Sequence, residues 1–118
     1  IKHRPLEALT KFNEHAGQLS ISSITLAELI HGAEKSKFID SNLRIVEDFC
    51  SRLEVLNYSE KAAAHYGSIR CDLEKKGQII GVNDLHIAGH ARSEGLTLIS
   101  NNLKEFNRVT ALRTDNWV

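Results

Sequence analysis

The spacing of apolar and polar positions changes period repeatedly along the chain, and each change predicts an element. Pro5 suits the first position of a helix, and Leu6, Leu9, Phe12 and Ala16 follow at near-helical spacing until Gly17. Leu19–Ser23 is short and strand-like. Leu26, Leu29, Ile30 and Ala33 give the i, i+3, i+4, i+7 stripe of an amphipathic helix, and Leu43, Val46, Phe49, Cys50 and Leu53 line a second one. Glu54–Asn57 predicts a short strand. Ser59 to Lys76 predicts a longer helix burying Ala62, Tyr66, Ile69 and Leu73, with Gly77 just past its end. Asp84 to Glu94 is helical in pattern and closes at Gly95. Leu96–Ser100 is the clearest strand, Leu103–Asn107 a short helix, and Val109–Arg113 a last strand. Strands alternating with helices predict an α/β fold with a mainly parallel sheet.

Composition narrows the function classes. With 118 residues and no linker, repeat or low-complexity tract, residues 1–118 are expected to form one domain with its own core. Fifteen basic residues balance fifteen acidic ones. Holding nucleic acid by bulk charge calls for a basic protein, so a nucleic-acid role must rest on a local site. No run approaches the ~20 apolar residues that span a bilayer, and nothing resembles a secretion signal, although the chain opens on Ile1. Cys50 and Cys71 are then expected as free thiols in the cytoplasm. His86 and His90 have a spacing that can bind zinc, but the glutamate of an HExxH motif and a third ligand are missing, which favours a packing role. Ser20, Ser22 and Ser23 have no His–Asp partner pattern, which argues against a serine hydrolase.

Ligands of open parallel sheets bind where loops leave the strands' carboxyl ends. Three acids fall just after a strand and near a helix start: Glu28, Asp84 and Glu105. Each has a local explanation. Thr25-Leu-Ala-Glu28 matches a capping box, Asn102-Leu-Lys-Glu105 nearly so, and Asp84 suits an N-cap or a first helical turn. Convergence would change their meaning. Three carboxylates on one sheet edge repel one another unless a cation offsets the charge, and Mg2+ or Mn2+ prefers oxygen ligands. Such an ion can activate water and neutralise a phosphodiester's developing charge.

These residues also carry a family likeness. The stretches ISSITLAELIHGAEKS, GVNDLHIAGHARSEGLTLISNNLKEF and LRTDNW resemble, in order, the PIN-domain toxins of VapC type. The resemblance implies a three-layer fold with a central parallel sheet flanked by helices. It also implies a metal-dependent endoribonuclease with Mg2+ or Mn2+ as cofactor, a cognate antitoxin, a homodimer, and initiator tRNA cut in its anticodon stem-loop. Position by position it assigns catalytic and metal-binding roles to Glu28, Asp84 and Glu105. Asn102, which stands where many PIN domains have aspartate, and Ser100 would orient those groups. The family's first strand, ending in a metal-binding aspartate, has no counterpart ahead of Glu28, where the nearest acid, Glu7, lies inside the Pro5 helix. The functional protein is therefore expected to carry roughly a dozen or more residues before Ile1. The 118-residue chain alone should be inactive, its flanking strands left open.

Arg92, Lys104, Arg108 and Arg113, and on the Glu28 helix His31 and Lys35, are candidates for phosphate contacts or simply solvated charges. A rival assignment is a non-catalytic PIN-like interaction module using its acids only as caps.

Overall fold

The computed structural model describes residues 17–117. The expected Pro5 helix and Glu7 lie outside them. Strand β1 (Ser20–Ser22) runs straight into helix α1 (Ser23–Glu34), and the hydroxyl of Ser22 makes the junction by accepting the Ile24 N–H at 3.0 Å. Helix α2 (Ile39–Cys50) folds back along α1 and leads to β2 (Glu54–Leu56). The long α3 (Glu60–Lys76) is capped by the Ser59 hydroxyl, which accepts the Ala62 N–H. It stops at Gly77, whose φ of 64° places it in the left-handed region that glycine occupies without a Cβ clash. Helix α4 (Val82–Ser93), β3 (Leu98–Ile99), the single turn α5 (Leu103–Phe106) and β4 (Thr114–Asp115) complete the described chain.

The strands pair in parallel, as the alternation of elements predicts. Ser20, Ile21 and Ser22 lie opposite Glu54, Val55 and Leu56, and Leu98 and Ile99 lie opposite Thr114 and Asp115. Among the described residues these are two separate two-stranded sheets, so β1 and β3 each pair on one side only.

The core sits where α3 and α4 cross over the second strand pair. Ile69, Leu73, Ile80, Leu85, Ala88, Phe106 and Val109 are buried together, and Tyr66, Leu98 and Leu112 pack against them. Leu73 and Leu85 are fully shielded from water, each worth roughly 1.5–3 kcal/mol in burial. The crossing is tight at Gly89. A Cβ there would stand 2.9 Å from the Tyr66 nitrogen and 3.1 Å from the Ala62 carbonyl oxygen, so only glycine lets the two backbones meet.

Two expectations need correcting. Val109–Arg113 is not a strand: it is a turn that passes through Ala111 at φ 64°, and the strand follows at Thr114. Val109 and Leu112 are three apart, and the Leu112 N–H donates to the Val109 carbonyl, which is turn geometry. The strand expected over Leu96–Ser100 is shorter, Leu98–Ile99 with the Ser100 N–H still donating to the Asp115 carbonyl, and it starts late because Leu96 is held by the Ala91 carbonyl at the end of α4. Cys50 and Cys71 are free, as expected.

Candidate active site

The capping explanations for the three acids fail one by one, although Asp84 does stand in a first helical turn, where the dipole favours an acid. Because Ser22 already caps α1, the helix starts before Thr25 and Glu28 falls in its second turn, exposed and beyond the reach of a capping box. Gly81 occupies the N-cap position of α4 with no side chain to offer, and Asp84 is the third helical residue, with no side-chain capping bond at that helix start. Asn102 precedes α5 but its side chain caps nothing. Its backbone N–H donates to the Ser100 hydroxyl at 2.9 Å, so Glu105 does not close a capping box either.

What the acids do instead is face one another. Asp84, half-buried, has its carboxyl pushed above the usual aspartate range, first by burial, then by the Glu105 carboxyl within hydrogen-bonding reach, then by the charge of Glu28. Residues from α1, α4 and α5 therefore meet at the carboxyl ends of β1 and β3. Two neutral amides brace the outer pair. Asn83 Nδ2 donates to Glu28 Oε2 at 3.2 Å, and Asn102 Nδ2 donates to Glu105 Oε2 at 3.2 Å. The contact of Ser100 is with the backbone of Asn102, one step further from the carboxylates than expected. Asn83 was not among the sequence candidates. Its position beside Asp84, in the first turn of the same helix, was the available signal.

This donor set suits a hard cation. It is all oxygen, it is crowded with negative charge, and Asp84 stands at the positive end of the α4 dipole. Among the described residues, no three His, Cys, Asp or Glu side chains are close enough to enclose a metal ion by themselves. That is compatible with Mg2+, which is bound through one or two carboxylates and keeps several waters.

The histidines take the packing role. His86 Nδ1 is 2.8 Å from the Tyr58 hydroxyl, and its ring stacks on Tyr66 at 4.1 Å. His90 is 2% exposed, with Nδ1 2.7 Å from the Ser22 hydroxyl and Nε2 buried. Burial holds its pKa below the ordinary value, against the opposing pull of Glu94 and the Asn57 backbone. Three of the basic candidates are tied to the fold. Arg92 binds His65 and the Thr110 carbonyl, Arg108 binds the Gln78 and Ile79 carbonyls, and Arg113 binds the Gly95 carbonyl. No helix among the described residues is long and apolar enough to cross a membrane.

Comparison with known proteins identifies the family. Residues 2–112 match the PIN domain family. The chain is 60% identical over 118 residues to Ribonuclease VapC2 of Haemophilus influenzae, spanning 100% of this chain and 89% of the relative. It is 49% identical over 117 residues to the tRNA(fMet)-specific endonuclease VapC of Shigella flexneri, spanning 99% and 89%. Among solved structures it superposes on DNA-bound VapBC from Salmonella typhimurium with a TM-score of 0.95 and 49% identity, over 99% of this chain and 89% of that one.

Proposed function

The chain belongs to the PIN-domain family as a toxin of VapC type, and on that premise we propose that it is an endoribonuclease dependent on Mg2+ or Mn2+. One observation carries the cation: Asp84 is held above its ordinary pKa by burial and by two further carboxylates, and none of the three acids is capping a helix.

In this assignment Asp84, Glu105 and Glu28 would hold the ion together with several waters, since the three do not enclose one by themselves. When bound, a hard cation supplies Lewis-acid neutralisation of the phosphodiester and acidifies water. The chain itself contributes orientation. Asn102 fixes the rotation of the Glu105 carboxylate, Ser100 fixes Asn102, and the first turn of α4 sets Asp84 between Glu28 and Glu105. Binding equilibria of an ion with carboxylates require them ionised, so a raised Asp84 extends the competition with protons to higher pH than an ordinary aspartate would.

The relatives support a substrate class. The Shigella protein is named for tRNA(fMet), which supports initiator tRNA as the substrate here, and the family resemblance would put the cut in its anticodon stem-loop. The Salmonella structure is a VapBC complex, which supports a cognate antitoxin as partner. Phe38 at 71% and Ile45 at 62% exposure leave apolar surface on the α1–α2 hairpin for a protein contact. A homodimer in the cytoplasm completes the proposal.

The test is cleavage of total tRNA by the full-length protein, with and without EDTA. Cleavage should stop with EDTA and in Asp84→Asn, whose circular dichroism should match the wild type. Metal-independent cleavage, or an Asp84→Asn protein that still cuts, would overturn the assignment. A protein that neither cuts nor binds Mn2+ would favour the non-catalytic interaction module.

A further inference from the structure

Glu28 is the outlier of the three acids. It projects from the second turn of α1, exposed, on a different helix from Asp84, and a glutamate so placed has three side-chain torsions free to carry its carboxylate into water. One bond opposes that. The Asn83 amide reaches from the first turn of α4 to Glu28 Oε2 at 3.2 Å, directly beside Asp84 in the chain.

We propose that Asn83 is a positioning residue, which holds the Glu28 carboxylate beside Asp84 in the rotamer that a divalent cation requires. The inference rests on the cation-dependent function above and adds a residue to it. The chemistry of the amide fits the task. Lysine or arginine at this place would also hold a carboxylate, but its positive charge would compete with the cation for the site. Aspartate would add a further negative group next to an Asp84 already crowded by Glu28 and Glu105. An amide donates one hydrogen bond and brings no charge. The same solution recurs on the far side of the site, where Asn102 Nδ2 donates to Glu105 Oε2 at the same 3.2 Å. The central acid, Asp84, is flanked by two carboxylates that are each steered by a neutral donor.

A double-mutant cycle on the full-length protein tests this, with the Mn2+ dissociation constant from calorimetry as the readout. Asn83→Ala should weaken Mn2+ binding about tenfold, the effect usual for a group that orients a metal ligand. Asn83→Gln, which keeps the donor, should recover part of the loss. The thermal midpoint in EDTA should barely move, since the bond lies at the surface. In a Glu28→Ala background, Asn83→Ala should have no further effect, because the amide acts through Glu28 alone. Unchanged affinity in Asn83→Ala, or an equal loss in both backgrounds, would overturn the inference. A wild-type protein that binds no Mn2+ would overturn the cation-dependent function itself and the inference with it. Should Glu28→Ala bind too weakly to measure, the side-chain amide resonances of Asn83 in EDTA decide. They should move on Glu28→Ala, and resonances that stay in place would refute the contact.

Discussion

Two glycines in neighbouring helices should respond to the same substitution with opposite signs. Gly67 lies exposed in the interior of α3, with nothing within 4 Å of where a Cβ would go. Gly89 is buried in α4, where the added carbon would meet the Tyr66 nitrogen at 2.9 Å and the Ala62 carbonyl oxygen and Tyr66 Cα at 3.1 Å. Glycine to alanine inside a helix gains about 1 kcal/mol from propensity, and that gain applies to both. At Gly89 the obstacles are backbone atoms, which cannot rotate aside, so α3 and α4 must part by a few tenths of an ångström. Overpacking of this kind costs about 1–3 kcal/mol. Gly67→Ala should therefore stabilise by up to about 1 kcal/mol, and Gly89→Ala should destabilise by up to about 2 kcal/mol. Propensity cancels in the difference between the two variants, leaving the contact alone at about 1–3 kcal/mol. Urea denaturation at constant m-value reads it directly. If the two midpoints agree to within about 0.5 kcal/mol, the helices yield freely at their crossing and the close approach carries no weight. The function should follow the packing, because Asp84 rides on the same helix and a displaced α4 changes its spacing from Glu28.

Other outcomes follow from the polar groups. The folded state raises the Asp84 pKa, so the ionised form is disfavoured there and the metal-free protein should lose stability as pH rises above the ordinary aspartate range. Asp84→Asn should remove that loss and be more stable than wild type in EDTA at pH 7, as urea melts at acidic and neutral pH will show; a less stable variant would contradict it. His90 is shifted the other way, its folded pKa lying below the unfolded one, so its share of stability is complete above about pH 6.5 and is lost as pH falls through the folded value. His90→Ala should cost about 1–3 kcal/mol by removing one of the two bonds of the Ser22 hydroxyl and opening a buried space, and the variant's melts should depend less on pH. Arg92→Ala should lower stability by about 1 kcal/mol through its lost bonds to His65 and the Thr110 carbonyl, while the salt dependence of RNA binding stays as in wild type; a shallower salt slope would make Arg92 a phosphate contact after all.

Local patterns carried the helices further than the strands. The stripe over α3 and the glycine that ends it were legible because a long helix repeats its signal and Gly77 sits where a left-handed residue is needed. Val109 and Leu112 misled, because in a segment of five residues an apolar pair three apart also fits a strand's neighbourhood, and only the tertiary contact decides. The acids show the same limit. Thr25-Leu-Ala-Glu28 is a good capping box on paper. It fails because β1 runs into α1 without a loop and Ser22 takes the cap before Thr25 is reached. No spacing rule connects Glu28 with Asp84, which are 56 positions apart. Family likeness supplied that connection, and the raised Asp84 carboxyl now gives it a physical basis. Asn83 carries no sequence signal beyond its place next to Asp84, since an exposed asparagine in a first helical turn has no pattern of its own.

The separation of the two strand pairs gives α4 a further importance. Among the described residues, β1 and β2 with the α1–α2 hairpin form one side and β3 and β4 form the other, with no strand pairing between them. The polar links that cross the gap leave from one helix: Asn83 to Glu28, His86 to Tyr58, and His90 to Ser22. Tyr58 also packs edge-on against both histidine rings, and its backbone N–H donates to the Ser23 hydroxyl at the start of α1. The residues of α4 that face α3, chiefly Leu85, Ala88 and Gly89, anchor this helix in the core. One rigid element therefore carries the central acid, braces a second acid, and fixes the strand end from which that second acid's helix departs. A change to the α4 seat should reach the site as a change in the Glu28–Asp84 relation, whereas a change in the α2 surface should leave that relation intact.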